Sequence, residues 1–105
     1  MDPKSAFAKQ GEAHIIDVRE QSEWNAGHIE GALHIPMGEI PERLDDIPDG
    51  RALVAVCRSG GRSEQVARFL SDKGFEIENL DGGMEAWAKA GLPIVGPDGG
   101  PGRVV

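Results

Sequence analysis

One cysteine, Cys57, lies in the stretch Val54-Ala55-Val56-Cys57-Arg58-Ser59-Gly60-Gly61-Arg62-Ser63-Glu64. A thiol attacks as its thiolate, and unpaired amides or neighbouring positive charge lower its pKa and favour that form. Arg58 and Arg62 bring positive charge and donors suited to oxyanions. Gly60 and Gly61 lack a Cβ, so the backbone here can curl and aim several N–H groups inward as an anion cradle. The loop is organised for a cysteine that holds negative charge and meets an anionic partner. The plain alternative is a small buried hydrophobe at a strand end, a common fate of free cysteine. Two arginines and two glycines in the next five residues argue against it.

The elements around this loop place it at a strand end. Ala52 to Val56 is an apolar run without alternation, as in a strand covered on both faces. Ser63 to Lys73 carries Val66, Ala67, Phe69 and Leu70 at helical spacing, with Gly74 as a stop. Cys57 thus follows a buried strand and precedes a helix N-terminus, whose free amides and dipole attract anions. Ligands of α/β sheets collect at the carboxyl ends of the strands.

Upstream, Asp2 caps and Pro3 opens a helix over Lys4 to Gln10, which Gly11 ends. Strands follow at His14 to Val18 and Ala32 to Ile35, with a short helix over Glu20 to Ala26 between them. Gly38 to Asp45 reads as a helix. Downstream come a strand over Phe75 to Leu80 and a helix over Gly83 to Ala90. This alternation indicates an α/β fold with a mainly parallel sheet. Residues 1–95 form one domain, and 96–105, with four glycines and two prolines, read as a loosely held tail.

Composition narrows the function. A chain of 105 residues fits one small domain and buries about 65% of its unfolded surface. The net charge of −7, from 18 acids and 11 bases, argues against nucleic acid, whose phosphates call for clustered Lys and Arg. No apolar run approaches the ~20 residues of a membrane span, and the first residues lack a secretory pattern, so a cytoplasmic protein without membrane partners is expected. A lone cysteine excludes an internal disulfide or resolving cysteine within the chain. Gly50 to Ser63 holds Arg51, Arg58 and Arg62 and no acid, a basic island that suggests a local anion site.

Three segments resemble the rhodanese (thiosulfate sulfurtransferase) family, over about residues 4 to 95. They are Asp17-Val18-Arg19-Glu20 with Glu23-Trp24 and Gly27 to Pro36; the loop Cys57 to Arg62; and Leu80-Asp81-Gly82-Gly83-Met84-Glu85-Ala86-Trp87. The resemblance implies an α/β rhodanese-like fold, a central mainly parallel sheet flanked by helices on both faces. It implies Cys57 as the sulfur carrier in a ping-pong reaction, loaded by thiosulfate with loss of sulfite and unloaded to a thiophile such as cyanide or a thiol. Arg58, Ser59, Gly60, Gly61 and Arg62 would bind the substrate, with Asp17, Arg19 and Ser63 behind them. The implied partners are a small anionic sulfur donor and a thiol or protein acceptor; no cofactor or metal is implied. Related phosphatases and arsenate reductases place five residues between cysteine and arginine, whereas four separate Cys57 from Arg62, which suits a sulfane sulfur better than a phosphate. The family's usual first strand is absent, leaving a sheet edge bare or paired by Gly102 to Val105.

Other residues read more plainly. Asp17 and Arg19 leave a strand end and are expected as scaffold, with Arg19 and Glu23 forming a surface ion pair. His14, His28 and His34 are too dispersed for metal-ligand spacing. Trp24 and Trp87 are packing residues. Glu39, Glu42, Asp45, Asp46 and Asp49 form a solvated helix face. Four functions compete: a thiosulfate sulfurtransferase, a sulfur-relay module fed by a protein persulfide, a small phosphatase or arsenate reductase, and a non-catalytic binding domain. The last predicts a degraded loop, and this loop is intact.

Overall fold

The computed structural model describes residues 1–105. Its elements run α1 (Pro3–Ala8), β1 (Ala13–Asp17), α2 (Gln21–Ala26), β2 (Leu33–His34), β3 (Ala52–Val56), α3 (Gly61–Asp72), β4 (Ile77–Asn79) and α4 (Gly83–Lys89). The four strands are parallel, in the order β2-β1-β3-β4. From β1 the chain steps outward to β2, then returns to the far side of β1 for β3. The order therefore reverses between β1 and β3, which opens a crevice at their carboxyl ends. Asp17 pairs with Val56 in register, so Cys57 enters that crevice directly.

Side-chain alternation on β3 divides the core in two. Val54 and Val56 face α1 and α4, packing with Ala6, Met84 and Trp87. Leu53 and Cys57 face the other way, toward Val66 and Leu70 of α3 and toward Ile40 and Ile47. Helices thus cover both faces, and the expected α/β sheet stands.

Asp2 caps α1, accepting from the Ser5 amide at 2.9 Å, with Pro3 at the first helical position as the sequence indicates. The expected helix over Gly38 to Asp45 is instead two 3-10 helices, Met37–Glu42 and Leu44–Asp46. Pro41 lies within the first and has no N–H to give, so an α-helical ladder cannot run through it. The acids there are not simply solvated: Arg43 bridges Glu39 at 3.1 Å and Asp46 at 2.9 Å. Helix α3 starts at Gly61, two residues earlier than its apolar pattern suggests.

The sheet edge beyond β4 is not left bare. Met1 donates to the Asn79 carbonyl at 3.0 Å and accepts from the Asp81 amide at 2.8 Å, the bonding pattern of a parallel ladder. The segment 96–105 does not serve that edge and folds back toward α2 instead. It doubles back through Gly96 N–H to Gly100 O at 2.7 Å, and the Arg103 amide donates to Ala26 O at 3.0 Å. Gly27 admits this strap because a Cβ there would lie 2.5 Å from Arg103 N and 2.8 Å from Ile94 Cγ2.

Candidate active site

Cys57 is the first residue beyond β3 and only 1% exposed. The chain turns back at Gly60, whose φ of 109° lies in a region L side chains rarely adopt. That turn brings the Gly60 amide to 3.0 Å from the Cys57 Sγ, and the start of α3 brings the Ser63 hydroxyl to 3.3 Å. Burial pushes the Cys57 thiol up. Hydrogen bonds from the Ser63 hydroxyl and from the amides of Ser63, Gly60 and Ser59 outweigh it and hold the pKa below that of an ordinary thiol. The Gly60 amide and the Ser63 hydroxyl are the two donors within hydrogen-bonding distance of the sulfur.

The turn does not require a glycine at Gly61. Its φ is ordinary and a Cβ there would meet nothing within 4 Å. The glycines the geometry requires are Gly60 and Gly83. With φ of 60°, Gly83 lies against the loop, and a Cβ on it would clash with the carbonyl oxygens of Cys57 and Arg58. The next two amides of α4 satisfy those carbonyls: Met84 N–H donates to Cys57 O at 2.8 Å and Glu85 N–H to Arg58 O at 3.0 Å. With its carbonyls held by α4, the loop is free to turn its amides toward the sulfur. The tight Gly82-Gly83 turn was visible in sequence as a helix start, but its contact with Cys57 was not.

The arginines depart further from expectation. Arg62 does not point freely over the cradle; it grips Glu23 of α2 with both nitrogens, at 2.7 and 2.9 Å. That bond holds the Glu23 carboxyl below the usual range and raises Arg62. Arg58 is half-exposed at the rim, 3.4 Å from Glu85. Ser59 is exposed beside it.

Arg19 does not pair with Glu23 on the surface, because it is fully buried and bonded to Asp17. Its Nε and Nη2 reach the Asp17 carboxylate at 2.7–3.1 Å, and Nη2 also donates to Gly27 O at 2.7 Å. This pair fixes the far end of α2 to the end of β1, and α2 in turn presents Glu23 to Arg62. Asp17 and Arg19 are thus bonded to each other and to Gly27 rather than to the Cys57 loop. Ser63 is fully buried behind the sulfur.

Asn79, at the end of β4, carries no signal of its own in the sequence, yet it touches the site. Its Nδ2 donates to Gly60 O at 3.1 Å and its Oδ1 accepts from the Ser63 hydroxyl. Trp87 is core, with its indole N–H on Pro93 O at 2.8 Å. Trp24 is half-buried and stacked between His28 and His34, at ring separations of 3.7 and 4.7 Å. Both histidines bond backbone carbonyls, His28 Nδ1 to Trp24 O and His34 Nε2 to Arg19 O, in keeping with a structural role.

A buried thiol at the switch point of a parallel sheet, where ligands of such sheets collect, marks the class as an α/β domain with its site at the carboxyl ends of the strands. The family model of the Rhodanese-like domain matches residues 4–90, and the chain belongs to that family. A sulfurtransferase of Allochromatium vinosum is 45% identical over 86 residues, 81% of this chain and 80% of its own length. A rhodanese-related protein of Thermoplasma volcanium superposes with a TM-score of 0.87 at 27% identity, over 90% of this chain and 95% of that one. A rhodanese-like domain protein of Staphylococcus aureus gives 0.78 at 33% identity, over 83% of this chain and 88% of that one. These relatives support a role in sulfur transfer.

Proposed function

We propose that the chain transfers sulfane sulfur through a persulfide on Cys57, with thiosulfate or another persulfide as donor. The Cys57 thiolate attacks the outer sulfur of thiosulfate; the S–S bond breaks and sulfite leaves with its electron pair. A thiophile such as cyanide or a thiolate then attacks the same outer sulfur, and Cys57 departs as thiolate. The observation that supports the reading is the Gly60 amide donating to the Cys57 Sγ at 3.0 Å, which favours the thiolate that this reaction needs as nucleophile. Arg58, Ser59 and the loop amides would meet the donor. A lone thiol suits the reducing cytoplasm, where it stays free of disulfides.

The phosphatase reading loses support twice. Only four residues separate Cys57 from Arg62, and the Arg62 guanidinium is occupied by Glu23 rather than free to grip a phosphate. A relay between proteins would use the same chemistry, and the exposed rim at Arg58 and Ser59 leaves the loop open to a large donor.

Steady-state kinetics separate these readings. Arg58→Gly is expected to raise the thiosulfate KM about tenfold, one charged hydrogen bond, and to affect mercaptopyruvate less. Aryl phosphates should not turn over. An unchanged KM would remove Arg58 from donor binding, and efficient phosphate hydrolysis would reverse the choice of reaction.

A further inference from the structure

The Ser63 hydroxyl has one proton and three acceptors within reach: Cys57 Sγ at 3.3 Å, Gly60 O at 3.3 Å and Asn79 Oδ1, much the shortest. The orientation of the Asn79 amide is fixed by Gly60. Turned over, its oxygen would face the Gly60 carbonyl oxygen at 3.1 Å, two acceptors with no proton between them. With Nδ2 on Gly60 O, Oδ1 must face Ser63, and the short contact holds the Ser63 proton. In this arrangement the proton is turned away from the sulfur. A charged thiolate is the stronger acceptor and draws the proton to Sγ.

We propose that Asn79 is a positioning residue that acts through Ser63, taking the hydroxyl proton whenever Sγ is uncharged and releasing it when Sγ is thiolate. This rests on the reading of Cys57 as sulfur carrier. In the persulfide the negative charge moves to the outer sulfur, and Sγ, now bonded to carbon and sulfur, is a poor acceptor. Asn79 then offers the proton a place, so loading the outer sulfur does not strand a donor in a buried site. The same competition weakens the hold of Ser63 on the thiolate, which keeps the nucleophile less passivated than an unopposed Ser63 hydroxyl would. The charged groups around the sulfur are paired and untouched by this change: Arg62 with Glu23 on the α2 side, Arg58 with Glu85 on the α4 side.

The test is the pH dependence of Cys57 alkylation by iodoacetamide in the full chain. Asn79→Ala and Asn79→Asp are compared, each with and without Ser63→Ala. Removing the competing acceptor leaves Ser63 only the weaker Gly60 carbonyl, so Asn79→Ala should lower the midpoint by about half to one pH unit. Asn79→Asp, a stronger acceptor, should raise it. Ser63→Ala alone should raise the midpoint and abolish the lowering by Asn79→Ala. Shifts of the same sign from both Asn79 variants, or a lowering that survives Ser63→Ala, would overturn the proposal. If Asn79→Ala does not fold cooperatively, Asn79→Asp decides alone: its rise must be larger with Ser63 present, and equal rises overturn it. Sulfur loading is read separately by intact mass; its failure in the wild type would remove the sulfur-transfer reading and leave the alkylation shifts standing.

Discussion

At Cys57 two influences oppose each other, and hydrogen bonding wins. Burial favours the neutral thiol, while the Ser63 hydroxyl and the amides of Ser63, Gly60 and Ser59 favour the thiolate. The lowered pKa has a direct reading in solution. Alkylation of Cys57 should retain its full rate at a pH where an ordinary exposed thiol has already slowed, and should decline only as pH falls through the depressed value. Coincidence of its profile with that of a free thiol would show that the cradle does not act. Cys57 itself was legible because its neighbours in sequence are also its neighbours in space. The ion pair of Arg62 was not legible for the opposite reason: its partner Glu23 is 39 residues away, and loop spacing says nothing about a bond to another helix.

At the scale of elements, α3 supplies donors to the sulfur and α4 disposes of the loop's carbonyls, so each helix start has a separate task. Gly83→Ala should destabilise by about 2 kcal/mol or more, since it joins a left-handed φ to a clash with the loop. Gly61→Ala should leave stability and sulfur transfer within about twofold, because it meets open space. Urea unfolding and activity of the two variants check this; equal damage would mean that the loop is held otherwise. The α2–α3 contact is a partly exposed bidentate pair, Glu23 15% and Arg62 34% exposed, so Glu23→Gln should cost only about 1 kcal/mol at neutral pH. The sign follows from the depressed Glu23 pKa. The contribution is whole above the unfolded carboxylate value and is lost as pH falls through the folded one. The stability gap between wild type and Glu23→Gln should therefore narrow once pH falls below the ordinary carboxylate value and close as it passes the lowered folded one, and a gap that widened in acid would contradict the pairing. Helix starts were legible from Asp2-Pro3 and from the glycines, while Pro41 turned an expected α-helix into 3-10 turns, a penalty the acid-rich pattern around it concealed.

For the whole molecule, a buried apolar run and alternating elements were enough to indicate a parallel sheet, because burial on both faces leaves a plain trace in β3. The two ends of the chain were not legible. Met1 along β4 and the strap over Gly27 depend on backbone bonds between distant residues, and glycines and prolines at 96–105 gave the composition of a loose tail rather than of a turn that folds back. The same fold sets a buried sulfur beneath an exposed rim, so the molecule is expected to carry its cargo as a covalent, isolable intermediate. Intact-protein mass spectrometry after incubation with thiosulfate tests this most directly. The wild type should gain the mass of one sulfur atom and lose it on addition of cyanide, with thiocyanate appearing, while Cys57→Ser, folded and cooperative, should do neither. A wild type that produces thiocyanate without ever carrying the extra sulfur, or a Cys57→Ser variant that still produces it above background, would contradict the assignment of Cys57 as the carrier.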